Sequence, residues 1–206
     1  MADNQIIITI GREYGSLGHL IANDIGKKLG LPVIDKALLN QMAENHGMDP
    51  EILKHYDEKR RNPLTSRSRR GHTNSIEDVI SEMIFDYMRR LADTGESFIV
   101  VGRCGEYVLR DFPGVISIFI SGEEEAKTRH IAEVKHISLE EAEALKNKME
   151  ARRARYHNYH SDIKFGDVRA YDLVINSTEL GVDGSIELIC KYIDLWKVKS
   201  EDWTEE

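Results

Sequence analysis

Across 206 residues there are two cysteines, Cys104 and Cys190, far apart and without metal-ligand spacing. That pattern excludes a disulfide scaffold and a thiolate metal centre, and it reads as reduced thiols in a cytosolic protein. No apolar stretch has the length needed to span a bilayer. The one early apolar run, Ile6 to Ile10, follows Asp3 and has no basic segment before it. It is therefore read as a first strand rather than a signal peptide. No internal repeat and no low-complexity tract is present, and the eight histidines show no HxxxH spacing. The histidines are read as surface residues.

What is present is ordinary for a globular chain: 41% hydrophobic and 31% charged residues, with a net charge of −8. That charge argues against a protein that coats a nucleic-acid polymer. The basic residues are gathered. Lys59 to Arg70 holds six and no acidic residue, and Arg152, Arg153 and Arg155 form a second cluster. Local basic spots on an acidic chain point to an anion site.

The apolar pattern alternates between short buried strands and helices. Strands are expected at 5–10, 31–34, 97–101, 115–120 and 172–175. Helices are expected at 19–29, 37–43, 50–56, 75–91, 104–110, 123–134 and 185–196. Ser138-Leu139-Glu140-Glu141 forms a capping box that opens a long helix toward Tyr156. The polar stretch 59–74 reads as a mobile loop. Short strands without polar alternation, separated by helices, indicate an α/β fold whose parallel sheet is covered on both faces.

The strongest local signal is strand, then Gly11-Arg12-Glu13-Tyr14-Gly15-Ser16-Leu17-Gly18, then helix. Such a loop aims backbone N–H groups and the positive end of a helix dipole at an anion. It departs from the Walker A form G-x-x-x-x-G-K-[ST], having no lysine. By residues alone, a phosphate loop and an unliganded strand-to-helix turn both remain open.

Several blocks in order carry a resemblance: Ile8-Thr9-Ile10-Gly11-Arg12-Glu13-Tyr14-Gly15-Ser16, Leu31-Pro32-Val33-Ile34-Asp35-Lys36, Val100-Val101-Gly102-Arg103-Cys104-Gly105, the arginines 152, 153 and 155, and Tyr171-Asp172-Leu173-Val174-Ile175-Asn176. With these the chain resembles the cytidylate-kinase-like family of the P-loop kinase superfamily, over about Ile6 to Ile193. The resemblance implies a three-layer α/β/α domain over 1–206 with a five-stranded parallel sheet. A helical acceptor-binding segment would cover 35–95 and a lid region 138–170. It implies γ-phosphoryl transfer from ATP with Mg²⁺ to a nucleoside monophosphate, CMP or dCMP first.

Carried over by motif, Gly11, Arg12, Gly15, Ser16, Gly18 and Arg129 would bind the cofactor nucleotide. Asp35, Lys36 and Arg103 would bind the acceptor, and Arg103, Arg152 and Arg155 would act on the transferring group. No protein metal ligand is assigned. Arg12, Lys36 and the lid arginines are the candidates to replace the missing lysine. The sequence also departs from the cytidylate kinase pattern at Leu17, Leu20 and Cys104, which stand for a glycine, a threonine and an aspartate. Two further readings stay open: a kinase of another small acceptor, and a nucleotide-binding module without phosphotransfer. The expected partners are small nucleotides, with neither a membrane nor a nucleic-acid polymer, and a homo-oligomer is left open.

Overall fold

The computed structural model describes residues 5–35, 68–69, 72–73 and 76–202. Strands β1 (Ile7–Arg12), β2 (Val33–Ile34), β5 (Phe98–Val101), β6 (Val115–Ser121) and β7 (Leu173–Asn176) form one parallel sheet in the order β2-β5-β1-β6-β7. β1 lies at its centre, with Ile8 opposite Ile99 on one side and Ile116 on the other. Side chains alternate across the sheet, as the two-residue repeat of a strand requires. Ile7, Phe98 and Val100 face one apolar cluster, and Ile8, Ile10, Ile99 and Val101 face the other. Both faces are therefore apolar, which is why the strands read as uninterrupted hydrophobic runs.

Helices cover both sides and complete the three-layer α/β/α architecture. α1 (Gly18–Leu29) and the closing helix α6 (Ser177–Asp202) bring Ile21, Ile25, Ile189 and Ile193 to one face. α2 (Ile76–Asp93) and the short α3 (Gly105–Val108) bring Ile80, Ile84, Met88 and Val108 to the other. Gly30 ends α1 in the left-handed conformation, with φ 67°. α4 (Glu124–Lys135) and α5 (Leu139–His160) pack together outside the sheet. The capping box at Ser138 and Glu141 is formed, with both reciprocal hydrogen bonds in place.

Three boundaries differ from the sequence reading. The helix expected at 104–110 begins only at Gly105, because Gly102, Arg103 and Cys104 all have positive φ. Left-handed residues cannot join a right-handed helix. The closing helix starts at Ser177 rather than 185, and Gly181 (φ 69°, ψ 177°) breaks it near its start. Inside the expected loop 59–74, β3 (Ser68–Arg69) pairs antiparallel with β4 (His72–Thr73). The helices expected at 37–43 and 50–56 lie outside the described residues. Among the described residues no helix is long and apolar enough to cross a membrane.

Candidate functional site

β1 and β5 end side by side, and the loops that leave them face the ligand edge of the sheet. The β1 loop is packed tightly on itself. Ser16 is fully buried and its hydroxyl donates to the Glu13 carbonyl at 2.9 Å. The Ser177 hydroxyl donates to the Ser16 carbonyl at 2.7 Å. Gly11 is required by close approach, since a Cβ there would meet the Phe119 ring at 2.8 Å and the Tyr171 hydroxyl at 3.0 Å. Leu17 stands before α1 with φ 59°, a conformation that costs a leucine about 1 kcal/mol or more. The Ser16 hydroxyl is thus committed to a hydrogen bond within the loop.

Arg12 is the last residue of β1, and its Nε is buried with no hydrogen-bond partner among the described residues. Its guanidinium lies so close over Gly102 that any side chain there would overlap Nη1. Burial, with Arg153 and Arg103 adding repulsion, pulls its pKa down from 12.5 to about 9, against weaker opposition from Asp35 and Glu106. Arg12 remains cationic at neutral pH, but its charge is poorly compensated there. Arg103 follows Gly102 with φ 58°, which turns its guanidinium over the Tyr156 ring at 5.3 Å. From α5, Arg153 donates to the Arg12 carbonyl at 3.0 Å and lies 5.4 Å from the Tyr14 ring centre.

Two cavities open beside these groups. The first, about 250 Å³, is lined by Gly11, Arg12, Arg103, Arg152 and Arg153 among others. The second, about 240 Å³, lies between the loop and α4, against Tyr14, Gly15, Gly18 and His130. Arg12 and Arg153 line both. The arrangement offers two adjoining spaces for anionic groups, with guanidinium forks at the boundary.

The other sequence-assigned residues fall as follows. Arg152 lines the first cavity, but Arg155 is exposed on the far side of α5 and lines neither. Arg129 is also exposed and pairs with Glu125 at 3.6 Å. Asp35 is partly buried, with His19 Nε2 at 3.6 Å from its carboxylate. Lys36 lies outside the described residues. Arg153 joins the site beside Arg152, and helical spacing along the sequence carries the signal for it. Met149, Arg152, Arg153, Tyr156 and His157 line the first cavity at helical spacing i, i+3, i+4, i+7, i+8, a single face that excludes Arg155.

The surface reading of the histidines is corrected at His157, which is 4% exposed. Its Nε2 lies 2.5 Å from Glu106 Oε1 at the cavity wall, and the two residues join α5 to α3. Asn158 Oδ1 accepts from the Phe165 amide at 2.7 Å and faces His157 Nδ1 at 3.4 Å. Nothing in the local sequence marks this pair, whose members lie 51 residues apart. Cys104 is buried and its thiol pKa is raised by burial first and by Glu106 second, which keeps it from acting as a nucleophile.

Comparison with known proteins agrees with this geometry. The model of the cytidylate kinase-like family matches residues 7–179. The chain is 26% identical to a cytidylate kinase of Archaeoglobus fulgidus, over 93% of this chain and 97% of that one. A solved structure of an uncharacterized protein from Eubacterium ventriosum is 33% identical, with a TM-score of 0.74, covering 92% of this chain and 99% of that one. A gluconokinase from Sinorhizobium meliloti shares the fold at 12% identity and a TM-score of 0.56, over 95% of this chain and 97% of that one. With a parallel sheet in this strand order, a glycine loop after β1 and a family match across most of its length, the chain belongs to the cytidylate kinase-like family.

Proposed function

We propose that the protein is a phosphotransferase that moves the γ-phosphoryl group of ATP to a nucleoside monophosphate, with CMP or dCMP the first candidate. The observation that carries this reading is the meeting of two cavities at Arg12 and Arg153, where the buried Arg12 Nε has no hydrogen-bond partner among the described residues. The triphosphate would lie along the loop and the N-terminus of α1, toward the second cavity. The acceptor phosphate would sit in the first, against Arg103 and Arg152. An acceptor phosphate oxygen then attacks the γ phosphorus, the bond from that phosphorus to the β–γ bridging oxygen breaks, and ADP leaves. Phosphoryl transfer needs positioning and charge neutralisation more than covalent chemistry from the protein. Arg12 supplies the positive charge that a loop lysine would bring, and Arg103, Arg152 and Arg153 hold oxygens of the transferring and accepting groups.

Mg²⁺ would neutralise the triphosphate and polarise the transferring phosphorus. Among the described residues, the loop and α1 offer it little: the Ser16 hydroxyl is committed within the loop, and Leu20 stands in α1. The ion would be held by phosphate oxygens and water, which suits its reluctance to dehydrate. The same two observations favour a second reading, a nucleotide-binding protein without transfer. Calorimetric titration with ATP-Mg and the common monophosphates, followed by an ADP-release assay, separates the two. Release only with CMP or dCMP, lost in Arg103→Ala, supports the kinase. Binding without release supports the second reading, and no binding removes both.

A further inference from the structure

Lys127, on α4, is completely buried yet charged. Its Nζ lies 2.8 Å from Glu13 Oε2 in the loop, 2.5 Å from Glu124 Oε1 on its own helix and 3.1 Å from Glu150 Oε1 on α5. Glu13 Oε2 also accepts from the Gly122 amide at 3.0 Å, and Lys146 Nζ holds the other oxygen of Glu124 at 2.5 Å. Oxygens of Glu13, Glu124 and Glu150 lie within 4.8 Å of one another, close enough for one cation to meet all three. Here the cation is an ammonium of the chain itself. Burial alone would pull the Lys127 pKa down, but the hydrogen bonds it donates to Glu124, Glu13 and Glu150 outweigh it and push it up.

The surroundings give this lysine a second task. Gly15, in the loop, rests directly on it: a Cβ at Gly15 would stand 3.0 Å from the Lys127 carbonyl and 3.1 Å from its Cβ. Glu150 lies less than one turn before Arg152 and Arg153. Arg153 in turn reaches back to the Arg12 carbonyl, and Arg12 is bonded to Glu13. The contacts form a closed circuit from Arg12 through Glu13, Lys127, Glu150 and Arg153 to Arg12 again. Lys127 itself lines neither cavity.

We propose that Lys127 is a positioning residue: an internal cation that aligns the glycine loop with the arginine face of α5 and so controls anion affinity without touching the anion. The proposal rests on the reading that loop and arginines hold the phosphates of ATP. An aligned guanidinium fork loses much of its value when displaced by about 1 Å, so the expected effect is on binding.

The test uses Lys127→Met, Lys127→Arg and Glu150→Gln in the full chain, with three readouts: ATP affinity, melting temperature and amide hydrogen exchange of residues 13–18. Lys127→Met is expected to weaken ATP about tenfold or more and to speed loop exchange, with Lys127→Arg restoring part of both. Glu150→Gln, at a partly exposed position, is expected to weaken ATP about fivefold with little change in melting temperature. It keeps the test decisive if Lys127→Met does not fold. A merely structural lysine would lower the melting temperature and leave the affinity of the folded protein unchanged. Unchanged loop exchange in Glu150→Gln, or faster exchange with ATP affinity intact, overturns the proposal. Failure of the unaltered chain to bind ATP would instead remove the reading beneath it, and unchanged exchange would still overturn the alignment.

Discussion

Arg153 donates from Nη1 to the main-chain carbonyl of Arg12 at 3.0 Å. A backbone acceptor consumes little of the guanidinium fork, which carries five N–H donors. The contact docks α5 onto the end of β1 and leaves donors of Arg153 for a ligand between the two cavities.

Arg153→Ala should therefore abolish measurable phosphoryl transfer and weaken ATP by about a hundredfold. Arg155→Ala, on the exposed side of the same helix, should leave both within about twofold. Parallel ADP-release assays check the pair. Equal losses would mean that α5 turns on binding ligand.

Arg12→Met removes a buried charge that has two arginine neighbours. The ligand-free protein should become more stable, by on the order of 1 kcal/mol, because an uncompensated buried cation costs desolvation. The melting-temperature rise caused by ATP in the unaltered chain should disappear in the variant. Melts with and without ATP read both effects, and a loss of stability without ligand would count against a poorly compensated charge on Arg12.

Gly102→Ala places a Cβ inside the Arg12 guanidinium at a residue with φ 73°. The left-handed conformation alone costs alanine about 1 kcal/mol, and Arg12 must also move. The variant should unfold at lower denaturant concentration and bind ATP more weakly than the unaltered protein. Alanine tolerated without either change would show that Arg12 has room to swing aside.

His160 is held below its ordinary pKa by burial first and by Arg103, against the opposing pull of Asp78. Its ring packs edge-on to Phe85 at 5.2 Å and against Tyr156 at 4.7 Å. The unfolded chain takes up a proton near pH 6.5, where the folded chain still resists it. The contribution of neutral His160 is whole above that pH and is lost as pH falls toward the depressed folded value. One proton gives a slope of at most about 1.4 kcal/mol per pH unit. Urea unfolding at pH 7.5 and 5.5 should show a shallower acid loss in His160→Phe than in the unaltered chain.

Much of the architecture was legible because it depends on local order along the chain. The apolar runs around Ile8, Val100 and Ile118 announce buried parallel strands, since both sheet faces must be covered. Gly30 and the Ser138–Glu141 box mark helix ends through their own backbone chemistry. The start of the helix after Gly102 is not legible locally, because three successive left-handed residues precede it where distant groups pack: Arg12 lies over Gly102, and Tyr156 lies beneath the guanidinium of Arg103.

The sequence by itself determined the layered fold, the glycine loop after β1 and a basic cluster on a capped helix, because periodicity, turn chemistry and capping act over a few residues. Which arginines converge was decided by tertiary structure. The rotation of α5 turns Arg152 and Arg153 inward and Arg155 outward, and the packing of α4 beneath the loop buries Lys127 among carboxylates from three separate segments. A buried charge is tolerable only where distant partners meet it, and the distances that permit this exist only once the sheet has brought those segments together.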